Sequence, residues 1–380
     1  MPGVQKNHKS ATRAGRALGV PSAAMETALQ NLIERIRAAA AAATPLRIRG
    51  GGTKDFYGQS LHGQVLDTRS LSGISAYEPS ELVITAGAGT PLVELEAALA
   101  AQGQCLPFEP PHFGPGATVG GMVAAGLAGP ARAAVGNVRD YVLGLELVNG
   151  RAEHLTFGGQ VMKNVAGYDV SRLLAGSLGT LGLITSVSLK VLPVPVAEAT
   201  LRFEFDEATA LTRLNTWGGQ PLPVNASCWL AGELHLRLRG AQAAVQAACQ
   251  RLGGEPVAPE AAQAFWQSLR EQTHPFFQPQ ADFSLWRLAV PDTAVPLQLG
   301  PTLIEWGGAQ RWLHAPSDQA KRLRHHAVSV GGHATRFRGP DATLDVFTPL
   351  SPALDRIQRG LKQQFDPAGV FGHGRLYRGW

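Results

Sequence analysis

Apolar residues first recur at helical spacing, with Leu29, Leu32, Ile33 and Ile36 on one face. They predict a helix over 23–43, capped by Ser22 and ended by Pro45. Leu46-Arg47-Ile48-Arg49 then alternates like a strand, and Gln64–Thr68 and Leu82–Ala86 read as further strands. Thr90-Pro91 has the form of a helix start, with a cap followed by Pro at the first position, for a helix running to Gly103. Tyr141–Val148 is a strand, Asn149-Gly150 a hairpin turn and Arg151–Phe157 the return. A short helix to Leu174 and a strand over 184–192 complete this half.

Pro193 and Pro195 mark a change of texture. Beyond them the pattern predicts strand 199–205, helix 207–217, a hairpin of 226–231 with 233–239, and helix 241–252. That order resembles a ferredoxin-like layer. A looser second round follows: helix 261–271, strand 283–290, a hairpin of 302–306 with 310–315, and helix 317–330. Whether the strands form two antiparallel sheets or one is left open. Ser351–Phe365 is a last helix.

The 380 residues suffice for two domains. A hydrophobic content of 44% against 17% charged allows a large core and argues against disorder. The net charge of +5 is spread along the chain, without basic runs interleaved with aromatics, so no nucleic-acid partner is expected. Cys105, Cys228 and Cys249 are far apart and form no CxxC, which supports neither a disulfide framework nor a metal cluster. No apolar run approaches the ~20 residues of a membrane span. Residues 1–21 hold Lys6, Lys9, Arg13 and Arg16 and no acid. With no apolar core after them they read as a loose extension rather than a secretory signal.

Candidate chemistry lies in the glycines. Gly50-Gly51-Gly52-Thr53-Lys54 follows a strand directly, so successive N–H groups can converge on an anion, with Arg49 and Lys54 as flanking cations. Phe113–Gly129, FGPGATVGGMVAAGLAG, reads as a glycine loop feeding a short helix from about Val119. Its bare N–H groups suit a phosphate, although the same small side chains also suit tight packing against another helix. A third cluster, Gly176–Gly182, can lay backbone against a flat ring. The common nucleotide signatures are missing: no G-x-G-x-x-G follows a strand, since Leu92 stands where Gly87-Ala88-Gly89 needs its third glycine, and no G-x-x-x-x-G-K-[ST] occurs. Two separate loops closing on one pyrophosphate would be a sufficient site.

The segments RIRGGGTK at 47–54, FGPGATVGGMVAAGLAG at 113–129, VRDYVLGLELVNG at 138–150 and NVAGYDVSRLLAGSLGTLGLIT at 164–185 resemble the PCMH-type FAD-binding domain of the vanillyl-alcohol oxidase class. Within that class their order is similar to the E-type subunits of glycolate oxidase, as are FWQSLR at 265–270, GGHAT at 331–335 and DPAGVFGHGRLY at 366–377. The resemblance covers roughly residues 29–378. It implies an α+β fold: an FAD-binding domain of two α+β subdomains over 22–195, a ferredoxin-like antiparallel-sheet cap over 196–350, and a segment over 351–380 that returns to the first domain. The cofactor-binding residues it implies are Arg49, Gly50, Gly51, Gly52, Thr53, Lys54, Pro111, Gly116, Ala117, Thr118, Gly120, Gly121, Gly136, Gly182 and Ile184, the last two beside the adenine.

Members that bind flavin covalently carry His at the place of Thr53, so the FAD implied here is noncovalent. Two departures stand out. Leu178 replaces the Glu of the usual GSEGTLG, and the H-x-G-D-G-N-x-H segment by which related dehydrogenases hold a metal or a carboxylate is missing. His325, His326 and His333 do not replace it, because adjacent helical residues do not face one site. No metal site is expected. The implied reaction is oxidation of a small 2-hydroxy acid, glycolate or D-lactate. Arg287, Arg311, Arg336 and Arg338 are candidate cations for its carboxylate, and no base can be named. The resemblance further implies two partners, a homologous catalytic flavoprotein and an iron–sulfur subunit that takes the electrons, and a cytoplasmic place at the inner face of the membrane through those partners. The alternatives are a scaffold subunit with a decayed flavin site and a self-sufficient dehydrogenase.

Overall fold

A computed structural model describes residues 23–159 and 169–380. The basic extension, the Ser22 cap and most of the Lys163–Asp169 stretch lie outside the described residues. The first helix, Ala23–Ala41, buries Leu32, Ile33 and Ile36 against Leu46, Leu66 and Leu71, as its spacing requires. The strands Leu46–Arg49 and Gln64–Asp67 pair in parallel as a small two-stranded sheet. A five-stranded antiparallel sheet forms the next layer, in the order Ile74–Glu78, Val83–Gly87, Leu183–Lys190, Val142–Val148, His154–Gly158. Its buried face packs on the helices Leu92–Ala100 and Val119–Ala125 through Ile84, Leu95, Leu99, Val123 and Val187.

The strand Ile74–Glu78 was not expected, because I-S-A-Y-E carries one strong apolar residue and is only half-buried. Two further expectations need correction. Thr90 does not cap the following helix, which begins at Leu92. Its hydroxyl exchanges hydrogen bonds with the Gly73 backbone instead. The Asn149-Gly150 turn is longer than two residues. Asn149 N–H donates to Glu153 O, and its side-chain oxygen accepts from Arg151 and Glu153, so the return strand starts at His154.

The open question of one or two later sheets resolves as one. Eight strands run in the order Glu255–Pro256, Ala197–Glu204, Glu233–Gly240, Val224–Leu230, Leu303–Glu305, Gln310–Pro316, Phe283–Ala289, His333–Arg338. Numbered within each half of the sheet, both sets of four follow the spatial order 4-1-3-2 of a ferredoxin-like layer, and they join where Cys228 pairs with Glu305. The last strand, His333–Arg338, falls in a stretch whose sequence reads only as a motif.

One face of this sheet, with Leu285, Leu303, Trp312 and Phe337, packs against Tyr57, Ala125 and Leu127 of the first half. Ion pairs reinforce that contact. Glu109 takes Arg237 at 2.8 Å and Arg239 at 2.9 Å, and although burial opposes its charge, the two guanidiniums hold its carboxyl below the usual range. The chain then returns along Pro352–Phe365. Leu46 N–H donates to Val370 O, and Lys362 Nζ reaches Asp366 Oδ2 at 2.5 Å, Thr180 O at 2.8 Å and Phe371 O at 2.7 Å. Asp366 is buried and also accepts from the N–H groups of Val370 and Phe371. Lys362→Ala would strand that carboxylate. We expect a loss of about 3–5 kcal/mol in urea unfolding, since breaking a buried pair costs more than the pair contributes.

Candidate functional site

The loop Gly50–Lys54 leaves the small parallel sheet and runs directly onto the Gly-rich segment. A Cβ at Gly51 would lie 1.5 Å from Gly116 O, and one at Gly50 2.4 Å from Thr118 Oγ1. Both positions therefore exclude any side chain. Gly52 has φ +74°, and a Cβ there would meet the Arg49 guanidinium, which folds back to donate to Asp55 Oδ2 at 2.8 Å. Asp55 N–H turns inward to Gly52 O, but among the described residues none of the N–H groups from Gly50 to Lys54 donates to a protein acceptor. Arg375, from the C-terminal segment, fixes the far side of the loop by donating to the carbonyls of Lys54, Asp55, Tyr57 and Gln59.

The facing wall is the start of helix Val119–Ala125, where Thr118 caps by accepting from Gly121 N–H at 3.2 Å. The expectation of bare donors at this helix start is corrected. Val119 N–H donates to Thr90 O and Gly120 N–H to Ala88 O, and a Cβ at Gly120 would stand 2.6 Å from that of Ala88. Here the small residues serve close packing, and the free donors belong to the 50–54 loop. Gly182 and Ile184 line the cleft beyond Gly120, with Leu178 and Gly179 beside Ile48. The cleft is partly open to solvent.

Eleven of the expected residues thus line one cleft: Arg49, Gly50, Gly51, Gly52, Thr53, Lys54, Thr118, Gly120, Gly121, Gly182 and Ile184. Four lie elsewhere. Gly116 supports Gly51 from behind, and Ala117 is buried with its carbonyl taken by Leu92 N–H. Gly136 ends the short helix Arg132–Val135 at φ +96°, and Pro111 lines a second cavity. Sequence reasoning missed Leu61, Thr68, Ala88 and Arg375 as lining residues. Only Arg375 carried a signal, in the GHGRL of the C-terminal motif.

The electrostatics suit an anion. Burial lowers the Lys54 ammonium to about 8, against a weaker opposing pull from Glu271, and its polar contacts are long, 3.2 Å to His112 O and 3.4 Å to Thr53 Oγ1. Glu271 is occupied holding the N–H groups of His112 and Phe113. The donor-rich loop and a desolvated ammonium with no close carboxylate fit a diphosphate. Among the candidate cations for a substrate, two are spent. Arg311 is fully buried on the carbonyls of Ala294, Val295 and Gly308, and Arg336 holds those of Gly339 and Leu344. Arg287 and Arg338 instead approach the aromatic cluster of Tyr57, Phe113 and Phe337.

Comparison with known proteins agrees with this geometry. Residues 25–158 match the model of the FAD binding domain family. The chain is 49% identical over 349 residues to glycolate oxidase subunit GlcE of Escherichia coli (strain K12), covering 92% of this chain and 97% of that one. It is 38% identical over 152 residues to D-lactate dehydrogenase of Archaeoglobus fulgidus, spanning 39% of this chain and 33% of that one. Its fold is similar to that of alkyldihydroxyacetonephosphate synthase, with TM-score 0.63, 15% identity, and coverage of 90% of this chain and 74% of that one. The fold and cleft define an FAD-binding oxidoreductase chain of the PCMH type. The chain belongs to the GlcE family of glycolate oxidase subunits.

Lys54 gives a pH-dependent test in the cofactor-free chain. Its folded pKa lies below the unfolded value, so its charge penalises the fold fully below pH 8, and the penalty fades as pH rises toward 10.5. Lys54→Met should accordingly be more stable than wild type by up to about 3 kcal/mol at pH 7. That advantage should shrink between pH 8 and 10.5 in thermal unfolding.

Proposed function

We propose that the cleft holds FAD noncovalently, with the pyrophosphate on the N–H groups of Gly50–Lys54 and the adenine toward Gly182 and Ile184. The observation that carries this reading is the run of consecutive backbone donors without a protein acceptor, facing a wall packed too closely to admit side chains. The loop is half-buried, and a charged ligand accepting from these unpaired donors gains about 1.5–3 kcal/mol per hydrogen bond. Bound flavin supplies a two-electron acceptor. This chain's residues do the rest: the loop amides and Lys54 hold the diphosphate, Arg375 keeps the loop in shape, and the cap sheet excludes water. Thr53 has no ring nitrogen with which to link the flavin.

The division into an FAD-binding unit at 22–195, a cap at 196–350 and a returning segment at 351–380 belongs to the same proposal. The separate sheets and the bond from Leu46 to Val370 support it. We place the chain as the FAD-binding subunit of a complex that oxidises a small 2-hydroxy acid, glycolate first, to the 2-oxo acid. A homologous flavoprotein subunit would bear the main catalytic site, and an iron–sulfur subunit would take the electrons. The name of the Escherichia coli relative supports a multi-subunit assembly. No described helix is long and apolar enough to cross a membrane, so the inner-membrane place in this reading comes through partners.

A second reading, a scaffold subunit with a weakened flavin site, has one observation in its favour: Leu178 puts an apolar side chain on the cleft wall where the resemblance expects Glu. The two readings separate on flavin content. The purified chain should be yellow and release FAD on heating without covalent residue. Gly51→Val, which would force the loops apart, should lower bound FAD at least tenfold while thermal unfolding stays cooperative. Colourless protein that rebinds no FAD would overturn the first reading and favour the scaffold.

A further inference from the structure

The cap reaches the cleft through a residue that does not line it. Helix Pro259–Arg270 buries Trp266 and Leu269 in the interface cluster, and Trp266 Nε1 donates to Thr200 Oγ1 at 2.9 Å, so the helix is fixed against the cap sheet. It stops where Gln272 turns to φ +53°. Glu271, the residue between, carries its carboxylate across to the other half of the chain. Its Oε2 accepts from His112 N–H at 3.1 Å and from Phe113 N–H at 2.9 Å, while Arg270 Nε braces Oε1 at 2.8 Å. The Glu271 side chain is 16% exposed. The second cavity lies at this junction, with Phe113, Arg270 and Gln272 on its wall.

The two amides stand where the chain enters the Gly-rich segment. Phe113 has φ +55°, a left-handed conformation that a bulky L-residue adopts only when its surroundings impose it. Its N–H and the His112 carbonyl belong to one planar peptide. That carbonyl accepts from Lys54 Nζ at 3.2 Å, and the Phe113 ring centre lies 5.6 Å from the same ammonium. The bond that Glu271 makes at one end of the peptide therefore orients the acceptor that Lys54 uses at the other.

We propose that Glu271 is a positioning residue for the cofactor: from the cap it holds the peptide between 112 and 113, and through that peptide it aims Lys54 at the diphosphate loop. The ligand rests on the reading under Proposed function, whereas the chain of contacts is independent of it. Glu271 also acts on Lys54 by charge. Burial lowers the ammonium to about 8, and the Glu271 carboxylate pulls it upward. The other charged groups around Lys54 are Arg338, which shares the Phe113 ring at 5.0 Å, Arg375 on the Lys54 carbonyl, the Arg49–Asp55 pair of its own loop, and Glu96 on the His112 ring.

The experiment uses the full chain with flavin removed and has two readouts: titration of Lys54 by NMR of labelled lysine, and FAD affinity against pH. In wild type FAD should bind most tightly while Lys54 is charged and more weakly as pH rises past about 8. Glu271→Gln keeps the shape and one acceptor but loses the charge. It should titrate Lys54 at lower pH, move the fall in FAD affinity with it, and weaken binding about threefold at pH 7. Glu271→Ala should weaken it at least tenfold with unfolding still cooperative, and Glu271→Asp should recover part of that loss. In a Lys54→Met background Glu271→Gln should cost less than twofold, because the residue through which it acts is gone. Losses that simply add in that double variant, or a Lys54 titration unchanged by Glu271→Gln, would overturn the proposal. A chain that binds no FAD in any form while Lys54 still shifts in Glu271→Gln would overturn the cofactor reading and support the hold of Glu271 on Lys54.

Discussion

The Gly50–Lys54 loop lies where it does because residues 51 and 116 have no side chains and their backbones touch. Two turns separated by more than sixty residues of sequence become one wall through that contact. Any Cβ at position 51 would overlap the carbonyl of residue 116, and backbone packed this closely cannot relax cheaply. The loop is also held from outside by Arg375 and from below by the strand Leu46–Arg49. Held on three sides, it cannot turn its own N–H groups inward to make a helix or a ladder. The donors are left to the cleft, and the anion site is a by-product of packing as much as of glycine flexibility.

The second cavity depends on how the cap sheet is seated. Glu109 with Arg237 and Arg239, Trp306 on Gly129 O, and Arg287 on Tyr57 cross between the two halves of the chain around the aromatic cluster. Glu109, half-buried between two guanidiniums, is held below the usual carboxylate range against the pull of burial. Glu305 has no such cation and is raised instead. Two glutamates of one interface are thus shifted in opposite directions, set by which strand carries the arginines. The ferredoxin-like layer explains the seating. Its two units meet through Val224–Leu230 and Leu303–Glu305, which puts Glu305 at the middle of the sheet.

Much of the fold was legible. The amphipathic first helix, the strands flanking each glycine loop and the succession of strands and helices from 197 to about 330 follow from local periodicity, because one face of each element must be apolar. Glycine clusters marked the cleft for the same local reason, since no core strand or isolated helix tolerates them. Short or half-buried strands such as Ile74–Glu78 left too weak a pattern, being held by their neighbours rather than by their own side chains. The roles of Thr90 and Val119 were misjudged for a related reason. A capping side chain and a helix-start N–H have several possible partners, and only the folded chain decides among them.

By itself the sequence determined the α+β class, the two glycine loops and the family, because these are properties of contiguous residues. Only the tertiary structure decided which donors stay free, that Arg375 reaches back across the chain to the loop at 54–59, and which of four cap arginines are spent on backbone carbonyls. Arg311 and Arg287 stand in similar strands and read alike as residues. One is wrapped in carbonyls of a distant turn and the other meets a phenol and the faces of aromatic rings, a difference made by long-range neighbours that local sequence does not encode.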